Sequence, residues 1–448
     1  MNESAISGFS LDVSYRCQGM KRFRRSIVVA LFTGVFFALI SGCVLQKISE
    51  TTPDDFAVAD DPSWEAVFQR TEGWTGADGI NTVDLLDGRI LWIFGDTWIG
   101  DIHQGRHSLP IDLVAELVNN TLAVHEKPDA GNWMPPDPKA IRFFWEQSGQ
   151  KNQAWIRPDS GGGSGWYWPA GNGLMVTDAL DRFRLVFFMS QLARNPDSDE
   201  MWAFYRSGNA LVIVSNPGED VPGWRIRKVS VPLSRSAGGK IGWGVTLLSV
   251  PVFGEFSESY LYIYGIDETD IRNKKLILAR SPAGRIEDTG AWQAYHGNGA
   301  WGTFASECHP IAEHLASELS VEPVVIGDSL HYVMVYSEDG FGSHILMRMA
   351  QHPEGPWSKP FPVYQVEDIR KDKAFFTYAA KSHACISRPG ELLISYVINA
   401  IDFDKVIQNA DLYRPRFIRI SLNRLLQQHD GISLHKKTDR MIKQAGQP

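Results

Sequence analysis

The prediction of the fold rests on the stretch DGRILWIFGD, residues 87–96, because four later stretches repeat its pattern. Each has one or two turn residues, then a short apolar and aromatic run, then a polar end. The repeats are DRFRLVFFMSQ (181–191), ESYLYIYGID (258–267), DSLHYVMVYSE (328–338) and PGELLISYVIN (389–399). Runs of this kind, bounded by Gly, Pro and Asp, are typical of β-strands.

A longer unit surrounds each repeat. An apolar strand precedes every copy, and KSHACISR (381–388) is the one before the last copy. A third strand follows most copies, and several units close with a Trp-bearing element such as PGWRIRKV (222–229). Four strands repeated five times predict an all-β protein, a five-bladed β-propeller. One or two β-sandwiches are the alternative, since they also give evenly spaced strands. Residues 129–165 form a Trp- and Pro-rich insertion after the first unit.

The N-terminal segment has the features of a lipoprotein signal. KRFRR (21–25) is followed by an apolar run that ends in Ile40-Ser41-Gly42-Cys43, which resembles a bacterial lipobox with Cys43 as the lipidated residue. An uncleaved transmembrane anchor is the alternative, although the run is at the short limit for a span. Met20 directly precedes the basic run and is an alternative start site.

These features divide the chain into four parts. Residues 1–43 are predicted to be the signal, 44–62 a flexible tether, 63–426 the propeller and 427–448 a basic tail. We expect an envelope protein, on the periplasmic side or the cell surface, held to the membrane through an N-terminal lipid only.

The charge of the chain argues against a nucleic-acid partner. The formal net charge is −8, and removing the basic leader makes the remainder more negative. After Cys43 only Cys308 and Cys385 remain, which is too few for a disulfide scaffold. They could pair in an oxidising compartment or stay as buried thiols.

Two aspartates are predicted to meet at one end of the first hairpin. Asp87-Gly88 is a tight-turn signal, and folding about it pairs positions whose numbers sum to about 174–176. Asp78 and Asp96 sum to 174, so they lie at the open end of the hairpin, beside the axis of a propeller. Whether they share a face depends on the register, because a shift of one residue exchanges the faces.

The same construction places other polar and aromatic residues around the mouth of the channel. Aromatic faces and hydrogen-bonding groups together are typical of sugar sites, and fifteen tryptophans suit this use. The candidate substrate-binding residues are Trp74, Asn120, Trp168, Asn172, Trp243, Lys381, His383, Asn399 and Arg414.

Several motifs resemble one group of proteins. They are TGADG and FGDT within 75–97, SELSV (317–321), GPWS (355–358), KSH (381–383) and YRPRF (413–417). They resemble bacterial propeller domains related to the endo-D-arabinanases of glycoside hydrolase family 183, and more distantly the arabinanase, xylosidase and fructosidase clan. The resemblance covers roughly residues 65–422 and includes an aspartate pair at the spacing of Asp78 and Asp96. Residues 129–165 match nothing in it.

Carboxyl groups in this arrangement point to glycoside hydrolysis, which needs one acid and one base or nucleophile. We hypothesise that Asp78 is the base or nucleophile and that Asp96 is the acid or tunes it, with Glu318 as the alternative acid. In the alternative interpretation Asp96 caps a turn and Glu318 pairs with Lys381 or Arg414.

No cofactor is predicted. Cys308, His309, His383 and Cys385 are metal-ligand types, but their spacings match no zinc pattern. Only the clan resemblance gives a reason to consider a hydrated structural calcium near His383, and His383 is otherwise expected to orient substrate or water.

The sequence thus predicts a monomeric, lipid-anchored glycoside hydrolase that acts on an arabinan-like or other furanoside polysaccharide. A non-catalytic surface glycan-binding propeller is the runner-up, because fold alone does not fix function. A structural envelope protein with an occluded channel is the third alternative.

Overall fold

The computed structural model of the protein describes residues 57–107, 117–127, 134–159, 165–178, 180–198, 203–231, 240–250, 259–303, 308–326 and 329–428. The predicted signal with Cys43, most of the tether and nearly all of the basic tail lie outside the described residues. Within these ranges, no helix combines the length and apolar character needed to cross a bilayer.

Five antiparallel sheets make up most of the structure, as the repeats predict. Sheet 1 contains, in spatial order, Asn81–Asp84, Arg89–Phe94, Thr121–Glu126 and Arg142–Phe144. Sheet 2 contains Trp166–Thr177, Phe183–Arg194, Phe204–Val214 and Ile226–Val231. Sheet 3 contains Ile241–Val250, Tyr260–Asp267, Lys275–Pro282, Gln293–Gly297 and Ala300–Thr303, with Ala312–Glu313 paired to Lys275–Pro282. Sheet 4 contains Leu319–Ile326, Ser329–Ser337, His344–Ala350 and Phe361–Gln365.

Sheet 5 contains Phe375–Ser382, Glu391–Ala400, Arg416–Ser421 and Val58–Asp60. Three smaller sheets lie outside this repeat. Thr97–Ile99 pairs with Trp74–Ala77 on one side and with Leu117–Val118 on the other, Glu146–Ser148 pairs with Lys151–Gln153, and Ile102–His103 pairs with Arg106–His107. Within the described ranges the α-helices are Pro62–Val67, Phe403–Gln408 and Leu422–Gln428.

The hydrophobic core lies between neighbouring sheets. Because strand side chains alternate between two faces, each sheet packs one apolar face against the sheet before it and the other against the sheet after it. Separate clusters join sheets 1 and 2, 2 and 3, 3 and 4, and 4 and 5. A fifth cluster joins sheet 5 back to sheet 1, through Trp92, Phe94, Val397 and Phe417 among others. This is the packing of a β-propeller.

The start of the chain completes the last sheet. Val58 pairs with Ile420 and Asp60 with Ile418. Asp61, the N-cap of the first helix, forms an ion pair with Arg419. The tether predicted for residues 44–62 is therefore too long, because residues 58–62 already belong to the folded domain.

Two other boundaries differ from the prediction. The first strand of sheet 5 runs Phe375–Ser382, whereas the sequence pattern placed it in KSHACISR (381–388); Ala384–Ile386 form a short 3-10 helix instead. The sequence pattern predicts that residues 129–165 are an insertion outside the repeat. In the structure, however, Arg142–Phe144 within this range form the outer strand of sheet 1. An aromatic Trp- and Pro-rich composition concealed this short strand.

Candidate active site

The first hairpin brings Asp78 and Asp96 to the same end of sheet 1. The register pairs Asn81 with Ile93 and Thr82 with Trp92, so each pair sums to 174, which confirms the predicted register. Beyond these strands, Gly95 N donates to Asp78 O at 2.8 Å and Asp78 N donates to Asp96 O at 3.2 Å. The backbone itself therefore holds the two aspartates side by side.

Glycine at position 95 makes room for two functional groups. A Cβ added there would lie 2.3 Å from Asp78 Oδ1 and 2.6 Å from the Nε1 of Trp168. Both distances are far inside van der Waals contact, so the carboxylate and the indole approach the backbone because this residue has no side chain. Asp78 and Trp168, from sheets 1 and 2, thus meet at one point.

The Gly95→Ala variant is expected to displace Asp78 and Trp168 and to lower any activity of the site by at least about ten-fold, since misplacement of about 1 Å can cost far more. Steady-state kinetics with the best substrate would measure this. Gly218→Ala is the matched control, because an added Cβ there meets nothing within 4 Å. Full activity in Gly95→Ala would contradict the placement.

Two tyrosines hold Asp78. The hydroxyls of Tyr378 and Tyr413 both donate to Asp78 Oδ2, each at 2.7 Å. Asn399 Nδ2 donates in turn to the Tyr378 hydroxyl at 3.4 Å. Asp78 is only 5% exposed, and its Oδ1 has no hydrogen-bond partner among the described residues. One carboxyl oxygen is therefore anchored and the other is left unpartnered.

Asp96 is half-buried and has a different partner. Asn119 Nδ2 donates to Asp96 Oδ1 at 3.1 Å. Asn119 lies in the segment that enters the third strand of sheet 1, so both groups come from the same sheet. The amide holds the carboxyl without neutralising it.

Glu318 and Lys381 form an ion pair at the end of sheets 4 and 5. Lys381 Nζ lies 2.8 Å from Glu318 Oε2, and the two side chains are 2% and 12% exposed, respectively. The ammonium group also lies 5.8 Å from the ring centroid of Trp168, within range of a cation–π contact. The sequence analysis gave Lys381 and Arg414 as alternative ion-pair partners of Glu318, and the structure shows that Lys381 is the partner.

Burial and neighbouring acidic groups raise the pKa of both aspartates. Burial, followed by the charges of Asp96 and Glu318, raises the pKa of Asp78 well above its ordinary value. Burial also raises the pKa of Asp96 to about 6; Asn119 opposes this shift and Glu318 adds to it. At neutral pH the site therefore favours holding a proton on the aspartate pair.

The raised pKa of Asp96 predicts a pH dependence of stability. Between about pH 4 and pH 6 the folded protein keeps a proton that the unfolded chain releases, so this contribution falls as pH rises through that window. It amounts to roughly 2–3 kcal/mol. Asp96→Asn should remove this slope, which is measured as the difference in unfolding free energy from the wild type at each pH.

The exposed Asp197 provides the control. The change Asp197→Asn removes the same charge at an exposed position, and its difference curve is the baseline for the curve of Asp96→Asn. A difference curve for Asp96→Asn that stays flat from pH 4 to pH 7 would contradict the raised pKa of Asp96.

The backbone is strained beside both tyrosines. Tyr413 has φ +65° and Ala379, which follows Tyr378, has φ +56°. Residues other than glycine rarely adopt such angles, and such strain is concentrated at functional sites. The strand register also shifts between Tyr378 and Lys381. This bulge lets the strand direct the tyrosine to Asp78 and the lysine to Glu318.

An ionic network fixes the segment that leads into Glu318. Ser317 Oγ donates to Glu268 Oε1 at 2.5 Å, and Arg206 lies 2.8 Å from the other oxygen of Glu268. Lys274 Nζ donates to Ser317 Oγ at 2.5 Å. Although burial opposes it, Arg206, Ser317 and Lys274 together lower the pKa of Glu268. The network ties sheets 2, 3 and 4 together next to the site.

Three predicted binding residues are instead structural. Trp74 and Trp243 are each 1% exposed and lie inside core clusters. Asn120 is fully buried; it donates to the carbonyls of Ile156 and Tyr167 and accepts from Ile156 N. Because the two indoles pack inside the core and the amide of Asn120 is used by the backbone, we exclude these three from the site.

Three further residues also connect parts of the fold. Asn172 exchanges hydrogen bonds with the backbone of Leu247, between sheets 2 and 3. Arg414 donates to the carbonyls of Thr75 and Arg70 and lies 3.1 Å from Asp411. It therefore has the ring-closing role rather than the sugar-binding role that its position also allowed.

His383 is the third residue that connects parts of the fold. It is fully buried, its Nδ1 lies 3.0 Å from the Thr82 hydroxyl and its Nε2 lies 2.7 Å from the Ser395 hydroxyl. Burial, with Lys381 nearby, lowers its pKa to about 3. The predicted role of His383 in orienting substrate or water is therefore incorrect, because both ring nitrogens are engaged inside the protein.

Cys308 and Cys385 are free thiols. Burial raises the pKa of both to about 12, which keeps them protonated. Within the described ranges, no group of three or more His, Cys, Asp or Glu side chains is arranged to hold a metal ion.

Sequence reasoning missed three residues of the site, Tyr378, Tyr413 and Asn119. Tyr413 belongs to the YRPRF motif, in which the prediction assigned a role only to the arginines. Tyr378 lies in the strand whose start was misplaced. The signal for Asn119 was the pair Asn119-Asn120 just before a strand, but the prediction placed Asn120 in the site instead of Asn119.

Solved structures of other proteins share this fold. A crystal structure of a presumed hydrolase from Bacteroides ovatus ATCC 8483 has a TM-score of 0.62 at 19% identity, over 87% of this chain and 96% of that chain. This likeness shows a shared fold. The catalytic domain of a GH62 α-L-arabinofuranosidase from Coprinopsis cinerea has a TM-score of 0.40 at 11% identity, over 84% and 96%, which is too low to carry an argument.

The sheets thus define an all-β protein of the propeller type. Residues 61–423 match the family described as Domain of unknown function (DUF5005), and the chain belongs to this family. No curated protein matches the chain.

Proposed function

We propose that this protein is a glycoside hydrolase in which Asp78 and Asp96 supply the acid and the base or nucleophile. The observation that carries the proposal is the arrangement of the two aspartates: they lie side by side beside Glu318, buried enough that both pKa values are raised. Carboxyl groups with perturbed pKa values in one site are typical of catalysis.

The chemistry requires one protonated and one ionised carboxyl group. Burial and neighbouring charge favour the proton on Asp78, while the two tyrosine hydroxyls, which donate to Oδ2, favour its ionised form. In either state Oδ1 is the oxygen that has no hydrogen-bond partner in the described part of the chain. Asp78 therefore exchanges its proton, or attacks, through Oδ1.

Glu318 fits an electrostatic role better than that of the acid. Its carboxylate is already engaged by an ammonium group 2.8 Å away. The charge of Glu318 raises the pKa of both aspartates. In this proposal Lys381 positions Glu318, and Glu318 helps to keep a proton on the aspartate pair.

The finer assignment rests on the motifs. We propose a five-bladed propeller related to glycoside hydrolase family 183, acting as a monomer on an arabinan or similar furanoside. The five sheets and the five cores between them support the blade count. The lipobox-like ending at Cys43 supports anchoring by lipid in a bacterial envelope.

The second candidate is a non-catalytic glycan-binding protein. Trp168, half-buried beside Asp78, would suit a sugar face in either case. A binder, however, has no need for two tyrosines, held by strained backbone at Ala379 and Tyr413, that fix a carboxylate of raised pKa. It would bind oligosaccharide without forming new reducing ends.

The decisive experiment incubates the protein with arabinans, fructans and xylans and measures new reducing ends. The chain should begin at residue 44 rather than 63, because residues 58–60 form part of sheet 5. Cleavage of at least one polymer is expected. Tight binding to a polymer with no cleavage would instead favour the glycan-binding protein.

A further inference from the structure

Beside the carboxyl groups, three aromatic rings lead from the site to the surface. Tyr378, which holds Asp78, lies 5.6 Å from Phe376, and Phe376 lies 5.2 Å from Phe341, measured between ring centroids. Phe341 also lies 6.2 Å from Tyr378. Exposure increases along this series: Tyr378 is buried, Phe376 is half-buried and Phe341 is 65% exposed.

The backbone around Phe341 is held in place. Gly340 N donates to Ser337 O at 3.2 Å, and Glu338 N donates to His344 O at 2.9 Å. Thr377 N, from the first strand of sheet 5, donates to Gly342 O at 3.2 Å. The turn is therefore attached to the strand that carries Phe376 and Tyr378, and the exposed ring has a fixed position beside the site.

Phe341 contributes little to the fold. It belongs to no core cluster, and its ring contacts are with Phe376 and Tyr378. A single exposed apolar residue is common on protein surfaces, but this ring stands at the end of a fixed series of three rings that begins at Asp78. Because aromatic faces pack against the C–H groups of sugar rings, an oligosaccharide is the ligand that suits both the ring and the neighbouring carboxyl groups.

We propose that Phe341 and Phe376 form a sugar-binding subsite next to the sugar held at Asp78 and Asp96. This inference rests on the proposed function and deepens it. The subsite contacts a sugar ring beyond the cleaved bond, so it adds affinity only for substrates long enough to reach the turn. Tyr378 links the two parts, since its ring continues the series and its hydroxyl holds Asp78.

The test compares Phe341→Ala with the wild type on arabino-oligosaccharides from disaccharide to octasaccharide. KM for the longer members should rise about ten-fold, while kcat and the KM of the shortest cleaved member stay unchanged. Phe341→Trp should restore the affinity. Phe183→Ala is the matched control, because Phe183 is also exposed, at 50%, but lies at the turn end of sheet 2.

Binding to Asp78→Asn variants, measured by titration calorimetry, separates this inference from the proposed function. Chain-length-dependent binding that Phe341→Ala weakens would support the subsite even if the wild type cleaved nothing. Equal affinities with and without Phe341, or an equal loss at every chain length, would overturn the subsite while leaving cleavage intact. A wild type that neither binds nor cleaves any member would overturn both.

Discussion

Replacing Asp78 or Asp96 by asparagine is expected to lower glycan cleavage by about 10²–10⁴-fold, the range that positioned acid and base groups contribute. The stability of the folded state should not decrease. Asparagine retains a carbonyl that can accept from Tyr378 and Tyr413, and it removes one charge from a site where burial and neighbouring acids already oppose ionisation. We expect the melting temperature of Asp78→Asn to equal or exceed that of the wild type.

Chemical rescue assigns the two roles. Azide should restore product formation in the variant that lacks the base or nucleophile, and a substrate with an activated leaving group should restore it in the variant that lacks the acid. Asp87→Asn, in the exposed turn of the same hairpin, is the control and should remain active. Undiminished cleavage by both site variants would eliminate the proposed mechanism.

Replacing Lys381 by methionine should strongly destabilise the protein. It leaves the carboxylate of Glu318 nearly buried without its counter-charge, and breaking such a pair costs about 3–5 kcal/mol. The change should also alter the influence of Glu318 on the two aspartates. Urea unfolding measures the loss of stability, and the pH–rate profile measures the effect on the aspartates.

Two further variants make this result specific. Lys381→Met combined with Glu318→Gln should recover most of the stability, because no unpaired charge is left buried. It should not recover the activity, because the side chain at position 318 then has no charge. Lys405→Met breaks a more exposed pair with Asp372 and should cost only about 0–1 kcal/mol. If Lys381→Met were as stable as Lys405→Met, the buried ion pair would have no structural importance.

The sequence was informative wherever chemistry is local. The Asp87-Gly88 turn located the first hairpin and limited its register to a few positions, and it thereby predicted that Asp78 and Asp96 lie at the same open end. The repeated strand patterns predicted the five sheets. Both results depend on turn geometry and on alternation along a strand, which one sequence displays directly.

The rest depends on contacts between distant segments. Nothing in the strand pattern shows that a bulge after Tyr378 directs its hydroxyl to a carboxylate 300 positions earlier. Tryptophans and polar residues near the axis look alike in sequence, so Trp168 could not be distinguished from Trp243, nor a channel-lining histidine from the enclosed His383. Which of them reach the site is decided by packing between sheets.

The pairing of Val58–Asp60 with the last sheet also affects how the protein is made. Asp61 and Arg419 are separated by 358 positions, so the contact that closes the ring forms only after almost the whole domain has left the ribosome or translocon. Contacts over such separations slow folding. A chain truncated before residue 416 would therefore expose an incomplete edge, and we expect such products to be degraded or to aggregate rather than accumulate.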